Sequence, residues 1–67
     1  MARETVRKYA QGDREAYVDH VVGDRAFGFR VRRYERNART YTKLPNLWFT
    51  SISKADGAAA DYVGGEV

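Results

Sequence analysis

Cysteine is absent from the 67 residues, and histidine, tryptophan, methionine and proline each occur once. Without thiols the chain has neither disulfides nor thiolate metal sites, two of the usual staples of small domains. No apolar run approaches the roughly 18 residues of a membrane span, and the amino-terminal stretch lacks the apolar block of a secretory signal. The chain therefore reads as soluble, intracellular and cytoplasmic, complete from its starting methionine, with no membrane partner. A chain this short buries only about 60% of the surface its unfolded form exposes, so its core is marginal. Its reserve of stability must come from that core, from a partner or from self-association as a homo-oligomer. A single small domain over residues 1–67 is expected, with no repeat, low-complexity tract or linker.

What the sequence does contain is positive charge in one place. The net charge is +3. Residues 25–43 hold Arg25, Arg30, Arg32, Arg33, Arg36, Arg39 and Lys43 against Glu35 alone, while the remainder is mildly acidic. A basic site on an otherwise acidic chain favours a polyanionic partner.

The opening ARETVRKYAQGD is polar, with Val6 and Tyr9 as its apolar anchors. Residues 1–12 read as an edge strand or a flexible arm, closed by a turn at Gln11-Gly12-Asp13. REAYVDHVV follows, with Val18, His20 and Val22 on one face and Tyr17, Asp19 and Val21 on the other. A helix over 14–22 is the rival, but β-branched and aromatic side chains favour a strand. Gly23-Asp24 supplies the next turn.

FGFRVRRYER alternates more clearly. Phe27, Phe29 and Val31 point one way; Arg30, Arg32, Tyr34 and Arg36 point the other. A two-residue loop at Asn37-Ala38 pairs Val31 with Leu44, Arg36 with Arg39, Tyr34 with Tyr41 and Arg32 with Lys43. Like charges directly opposite on a sheet cost roughly 0.2–1 kcal/mol per pair. That expected repulsion points to a polyanion lying across the face.

Pro45-Asn46 breaks the strand, and Leu47, Trp48, Phe49 and Ile52 form the densest apolar cluster. Trp48 and Phe49, adjacent on a strand, face opposite ways, so one is a candidate exposed anchor. Ser53 is the expected helix N-cap, with Asp56 as the third helical residue, and the helix runs to about Val63 before Gly64-Gly65. Ala55, Ala58, Ala59 and Tyr62 make its apolar stripe. Residues 64–67 read as a frayed tail. The expected fold is α+β: a three- or four-stranded antiparallel sheet with one C-terminal helix packed on one face.

Catalysis finds no support. His20 falls on the inward face beside valines, where a structural role outweighs that of a general base. Ser51 and Ser53 belong to the start of the helix and lack an activating partner. Asp13, Glu15 and Asp19 fit no metal-ligand spacing and read as solvated carboxylates. There is no glycine-rich phosphate loop. The chain reads as a non-enzyme without metal or cofactor.

The candidate binding residues are Arg30, Arg32, Tyr34, Arg36, Arg39, Tyr41 and Lys43. Arginines at alternate strand positions can track phosphates or read guanine, and a two-stranded ribbon fits the major groove. Tyr34 and Tyr41 can stack on splayed bases, which favours single strands. The bland alternative is a wet outer face whose arginine stems cover tyrosine rings. Replacing Arg32 and Arg39 by alanine is expected to leave the fold intact.

The basic strand FRVRRY, the turn ERNAR, the strand RTYTK and the block FTSISKADGAAADYV together resemble the arm-type DNA-binding domains of tyrosine recombinases. That resemblance spans Phe27 to Val63. It implies a three-stranded sheet that enters the major groove, with Arg30, Arg32, Tyr34, Arg39, Tyr41 and Lys43 facing DNA. LPNLW is an addition to that pattern, and nothing supports recombinase activity. The chain also resembles, in size and character, the small accessory proteins of bacteriophages, which would place it in the host cytoplasm. The expected function is nucleic-acid binding, DNA in preference to RNA and duplex in preference to single strand. The alternative is an inhibitor docking the same face on an acidic surface of a host protein, such as RNA polymerase or a CRISPR effector.

Overall fold

The alternating valines and aromatics of the first half build a meander, and the alanine-rich segment closes it as a helix. The computed structural model describes residues 2–23 and 27–64. Strands β1 (Ala2–Gln11), β2 (Arg14–Val22) and β3 (Phe27–Arg36) are followed by β4 (Tyr41–Lys43), β5 (Leu47–Phe49) and helix α1 (Ile52–Gly64). All pairings are antiparallel, in the order β1-β2-β3-β4, with β5 also on β3. The fold is thus α+β, with one helix on one face of a five-stranded sheet.

β1 is an edge strand along its whole length, from Ala2 against Val22 to Gln11 against Arg14, with an irregularity between Thr5 and Arg7. Gly12 takes a positive φ of 59° in the turn to β2, a conformation open to glycine at little cost. Residues 14–22 form the strand and not the rival helix. Asp24 and Arg25, assigned to the next turn and to the basic cluster, lie outside the described residues.

The β3–β4 register differs from the expected one. Arg36 faces Tyr41 and Tyr34 faces Lys43, a two-residue shift made by a longer loop in which the Asn37 amide donates to the Thr40 carbonyl at 2.8 Å. A shift of two keeps every side chain on its face, so the hydrophobic pattern could not distinguish the registers. The expected Arg36–Arg39 and Arg32–Lys43 pairs therefore do not form. Beyond Leu44, whose amide donates to the Arg33 carbonyl, Pro45 and Asn46 interrupt the ladder. β5 resumes it one residue out of phase, with Leu47 opposite Val31.

Ala16, Val18, Val31, Ala55, Ala59 and Val63 form the core, flanked by Val6, Tyr9, Phe29, Leu47, Phe49 and Tyr62. Small side chains let the helix approach closely, but they bury little area each, so stability is modest. Val22, expected on the core face, is exposed. Helix α1 starts earlier than expected: the Ser51 carbonyl accepts the first helical bond from Ala55 at 3.1 Å, which makes Ser51 and not Ser53 the N-cap. Asp56 consequently sits in the second turn, where it accepts a hydrogen bond from Tyr9 and lies 3.8 Å from Arg7, tying α1 to β1.

Gly28 is the tightest backbone position. Its φ is 141°, and a Cβ there would lie 2.7 Å from the Phe49 carbonyl oxygen on β5. Gly28→Ala is expected to lower stability by about 2 kcal/mol, through strain and displacement of β5. Urea unfolding followed by circular dichroism checks this, and a change below about 0.5 kcal/mol would show that β5 is not held against β3 as described.

Candidate nucleic-acid interface

The face of the sheet opposite the helix is built by strand alternation. Across β2–β3, Tyr17 faces Arg32, Asp19 faces Arg30 and Glu15 faces Tyr34; across β1–β2, Thr5 faces Asp19 and Lys8 faces Tyr17. β4 adds Tyr41 and Lys43, and β5 adds Trp48 opposite Arg30. Arg30, Arg32, Tyr34, Arg36, Tyr41 and Lys43 therefore share one face. Arg39 is exposed in the loop between β3 and β4, outside the strands. Arg33, of opposite parity, turns to the helix side, where its guanidinium lies 5.7 Å from the Tyr62 ring and donates to the Pro45 carbonyl.

A tyrosine ladder crosses the face. Tyr17 meets Tyr34 edge-on with centroids 5.8 Å apart, and Tyr34 stacks on Tyr41 at 5.3 Å and 9°. Cations lie against the rings: Arg32 at 4.8 Å and Lys8 at 5.8 Å from Tyr17, and Arg36 at 5.4 Å from Tyr41. Such contacts contribute roughly 0.5–1 kcal/mol each at exposed sites. The Tyr41 hydroxyl donates to Glu15 at 2.7 Å, a bond that raises its pKa and keeps the phenol neutral.

Asp19 was expected to be a solvated carboxylate; it is instead the most buried charge among the described residues, only 2% exposed. Arg32 reaches it at 2.6 Å and Arg30 at 2.8 Å, and the Thr5 hydroxyl donates to it at 2.7 Å. Burial pushes its carboxyl up, but hydrogen bonds from Arg32, Thr5 and Arg30 outweigh that and hold it below the usual range. Asp19 in turn raises the pKa of Arg32. The expectation that Arg32 is dispensable to the fold is thereby revised, because its removal would strip a buried carboxylate of its shortest partner.

This network divides the basic residues into two groups. Arg30 and Arg32 are held at the floor of the face, with side chains 15% and 27% exposed. Arg36 is 66% exposed and only loosely engaged by Glu15 at 3.8 Å, and Arg39 and Lys43 are exposed. Thr5, Lys8 and Asp19 belong to the face but lie outside the expected set of binding residues, and Trp48 is the exposed member of the aromatic pair expected to supply one anchor. The alternation of β2 and β3 is a signal that puts Asp19 on the same face as Arg30, and the β2–β3 register places the two opposite each other.

At the far end, Phe27 is 75% and Trp48 52% exposed. They line a hollow of about 320 Å³ with Phe49, Thr50 and Lys54. Phe49 packs on the core, so the adjacent aromatics do face opposite ways. His20 lies on the helix side, stacked on Phe29 at 5.0 Å. Among the described residues there is no cluster of His, Asp and Glu suited to a metal, and no helix is long and apolar enough to cross a membrane. No protein family, curated protein or solved structure matches this chain.

Proposed function

We propose that the protein binds nucleic acid, duplex DNA in preference to single strands, through the sheet face opposite its helix. The observation that carries this reading is the tyrosine ladder flanked by Lys8, Arg36 and Lys43, with Arg39 beside it, on a face whose own carboxylates are already engaged. Cations set along antiparallel strands match the spaced charges of a phosphate backbone, whose neutralisation dominates affinity. The tyrosine rings already pack on one another and under guanidinium groups. That leaves few free ring faces for base stacking, and favours backbone contact on a duplex. Arg30 and Arg32 are held by Asp19 and are not counted among the groups that follow the strand backbone; the exposed Arg3, Lys8, Arg36, Arg39 and Lys43 supply that charge.

Titration of short labelled duplex and single-stranded DNA across a salt series tests this. Five phosphate contacts give log affinity falling with log salt at a slope of about −4 to −5 on duplex, and a shallower one on single strands. Absence of binding to either form at low salt would sink the reading.

A second reading has its own observation. The exposed pair Phe27 and Trp48 beside Lys54 suits an apolar, acidic partner protein, since aromatic anchors dominate such interfaces. Under that reading binding fails when Trp48 is truncated and depends little on salt.

A further inference from the structure

Two arginines on one aspartate leave positive charge over. Asp19 Oδ1 accepts from the Thr5 hydroxyl at 2.7 Å and from Arg32 Nη2 at 3.1 Å. Its Oδ2 accepts from Arg32 Nε at 2.6 Å and from Arg30 Nη2 and Nε at 2.8 and 3.1 Å. Both oxygens are filled from within the protein, while the guanidiniums keep donors in hand. Arg30 Nη1 makes no hydrogen bond among the described residues, and Arg32 Nη1 has only a 3.3 Å contact with the Tyr34 hydroxyl. Arg3, Thr5, Asp19, Arg30 and Arg32 line a polar hollow of about 200 Å³.

We propose that this hollow is a seat for one phosphate group, entered end-on as a phosphomonoester: Arg3, Arg30 and Arg32 contact the phosphate, and Asp19 positions the two inner guanidiniums. Stability alone does not account for the cluster, because a buried ion network is often no better than apolar packing of the same volume. Orientation does account for it. A guanidinium whose fork is locked by a carboxylate loses little freedom on binding a tetrahedral oxyanion, and its planar donors match that anion's geometry. The charge of the hollow selects the ligand's form. Three guanidiniums against one carboxylate leave two positive charges, which a phosphomonoester meets with three terminal oxygens and two negative charges, whereas a diester offers two such oxygens and one charge. The ligand's source is either a small phosphate compound or the phosphorylated end of a nucleic-acid strand. The seat stands on its own geometry, and the strand-end source alone rests on the nucleic-acid reading.

The protein carries its own reporter, since Arg30 lies 5.9 Å from the ring of Trp48, the single tryptophan. Titrating inorganic phosphate at pH 7.5 and constant ionic strength should change Trp48 fluorescence saturably, with a midpoint of about 1 mM, the affinity a few charge-assisted hydrogen bonds support. Arg3→Ala, which leaves the buried pairs whole, should raise the midpoint about tenfold, and Arg30→Lys, which keeps the charge but loses the fork, by a similar factor. A signal that chloride reproduces, or a midpoint unmoved by Arg3→Ala, overturns the seat. Paired oligonucleotides with and without a 5′-phosphate then separate the sources. Tighter binding of the phosphorylated strand, lost in Arg3→Ala, assigns the strand end, and equal binding assigns the small phosphate. Failure of the phosphate titration with DNA binding intact removes the seat and leaves the interface; the reverse removes the interface and leaves the seat.

Discussion

Asp19→Ala is expected to cost about 3 kcal/mol of folding stability, the largest loss from any single side chain of the sheet face. The substitution deletes the one carboxylate that both Arg30 and Arg32 hold, and leaves two guanidiniums side by side near the protein interior. The lower end of the usual range for a broken buried pair applies, because both arginines keep partial contact with water. A chain of 67 residues has only about 3–10 kcal/mol in all, so the variant approaches the unfolding threshold. Urea unfolding followed by circular dichroism measures it, and a loss below about 1 kcal/mol would show that the arginines stabilise the sheet without Asp19.

The same carboxylate makes stability acid-sensitive in a defined direction. Its pKa in the folded chain is lowered, so its contribution is complete above the unfolded-chain value near 4. That contribution fades as the pH falls through this value towards the lower folded one. Asp19→Asn lacks this component. The gap in stability between wild type and Asp19→Asn should therefore be widest near neutral pH and close below about pH 4. A gap that stays constant with pH would contradict the ionised network.

Replacing Arg36, Arg39 and Lys43 together by glutamine is expected to weaken duplex DNA binding about 100- to 1000-fold at 0.1 M salt, and to flatten the salt slope by nearly three. The fold should survive. Arg36 is 66% exposed, Arg39 and Lys43 are exposed, and surface changes of this kind usually fall within about 0.5 kcal/mol. Circular dichroism establishes the fold, and anisotropy titrations at several salt concentrations give affinity and slope. An unchanged slope in a folded variant would remove phosphate contact from this end of the sheet. A large loss of affinity without a change of slope would point to base-edge contacts in its place.

The alternation of FGFRVRRYER was enough to place Arg30, Arg32, Tyr34 and Arg36 on one face, and the Ala55–Ala59 spacing was enough to place the helix on the other. Those assignments depend on strand and helix periods alone, which are local properties. The Trp48/Phe49 division follows from the same period of two. Register and partners are different quantities. The expected like-charge pairs of β3 and β4 vanished because a longer loop shifted the pairing by two, which leaves side-chain faces unchanged. The helix began two residues early because the Ser51 carbonyl accepts from Ala55, where the side-chain pattern had favoured Ser53 as the cap.

Sequence by itself determined that this protein is a basic-faced, cysteine-free sheet with an alanine-packed helix, because charge, composition and periodicity need no knowledge of distant neighbours. Only the tertiary structure decided that two of the predicted contact arginines are anchored to Asp19 and that the more exposed charge lies at Arg36, Arg39 and Lys43. Whether an arginine contacts a ligand or a neighbour depends on which residue lies across the ladder, and the turns that join the strands set that.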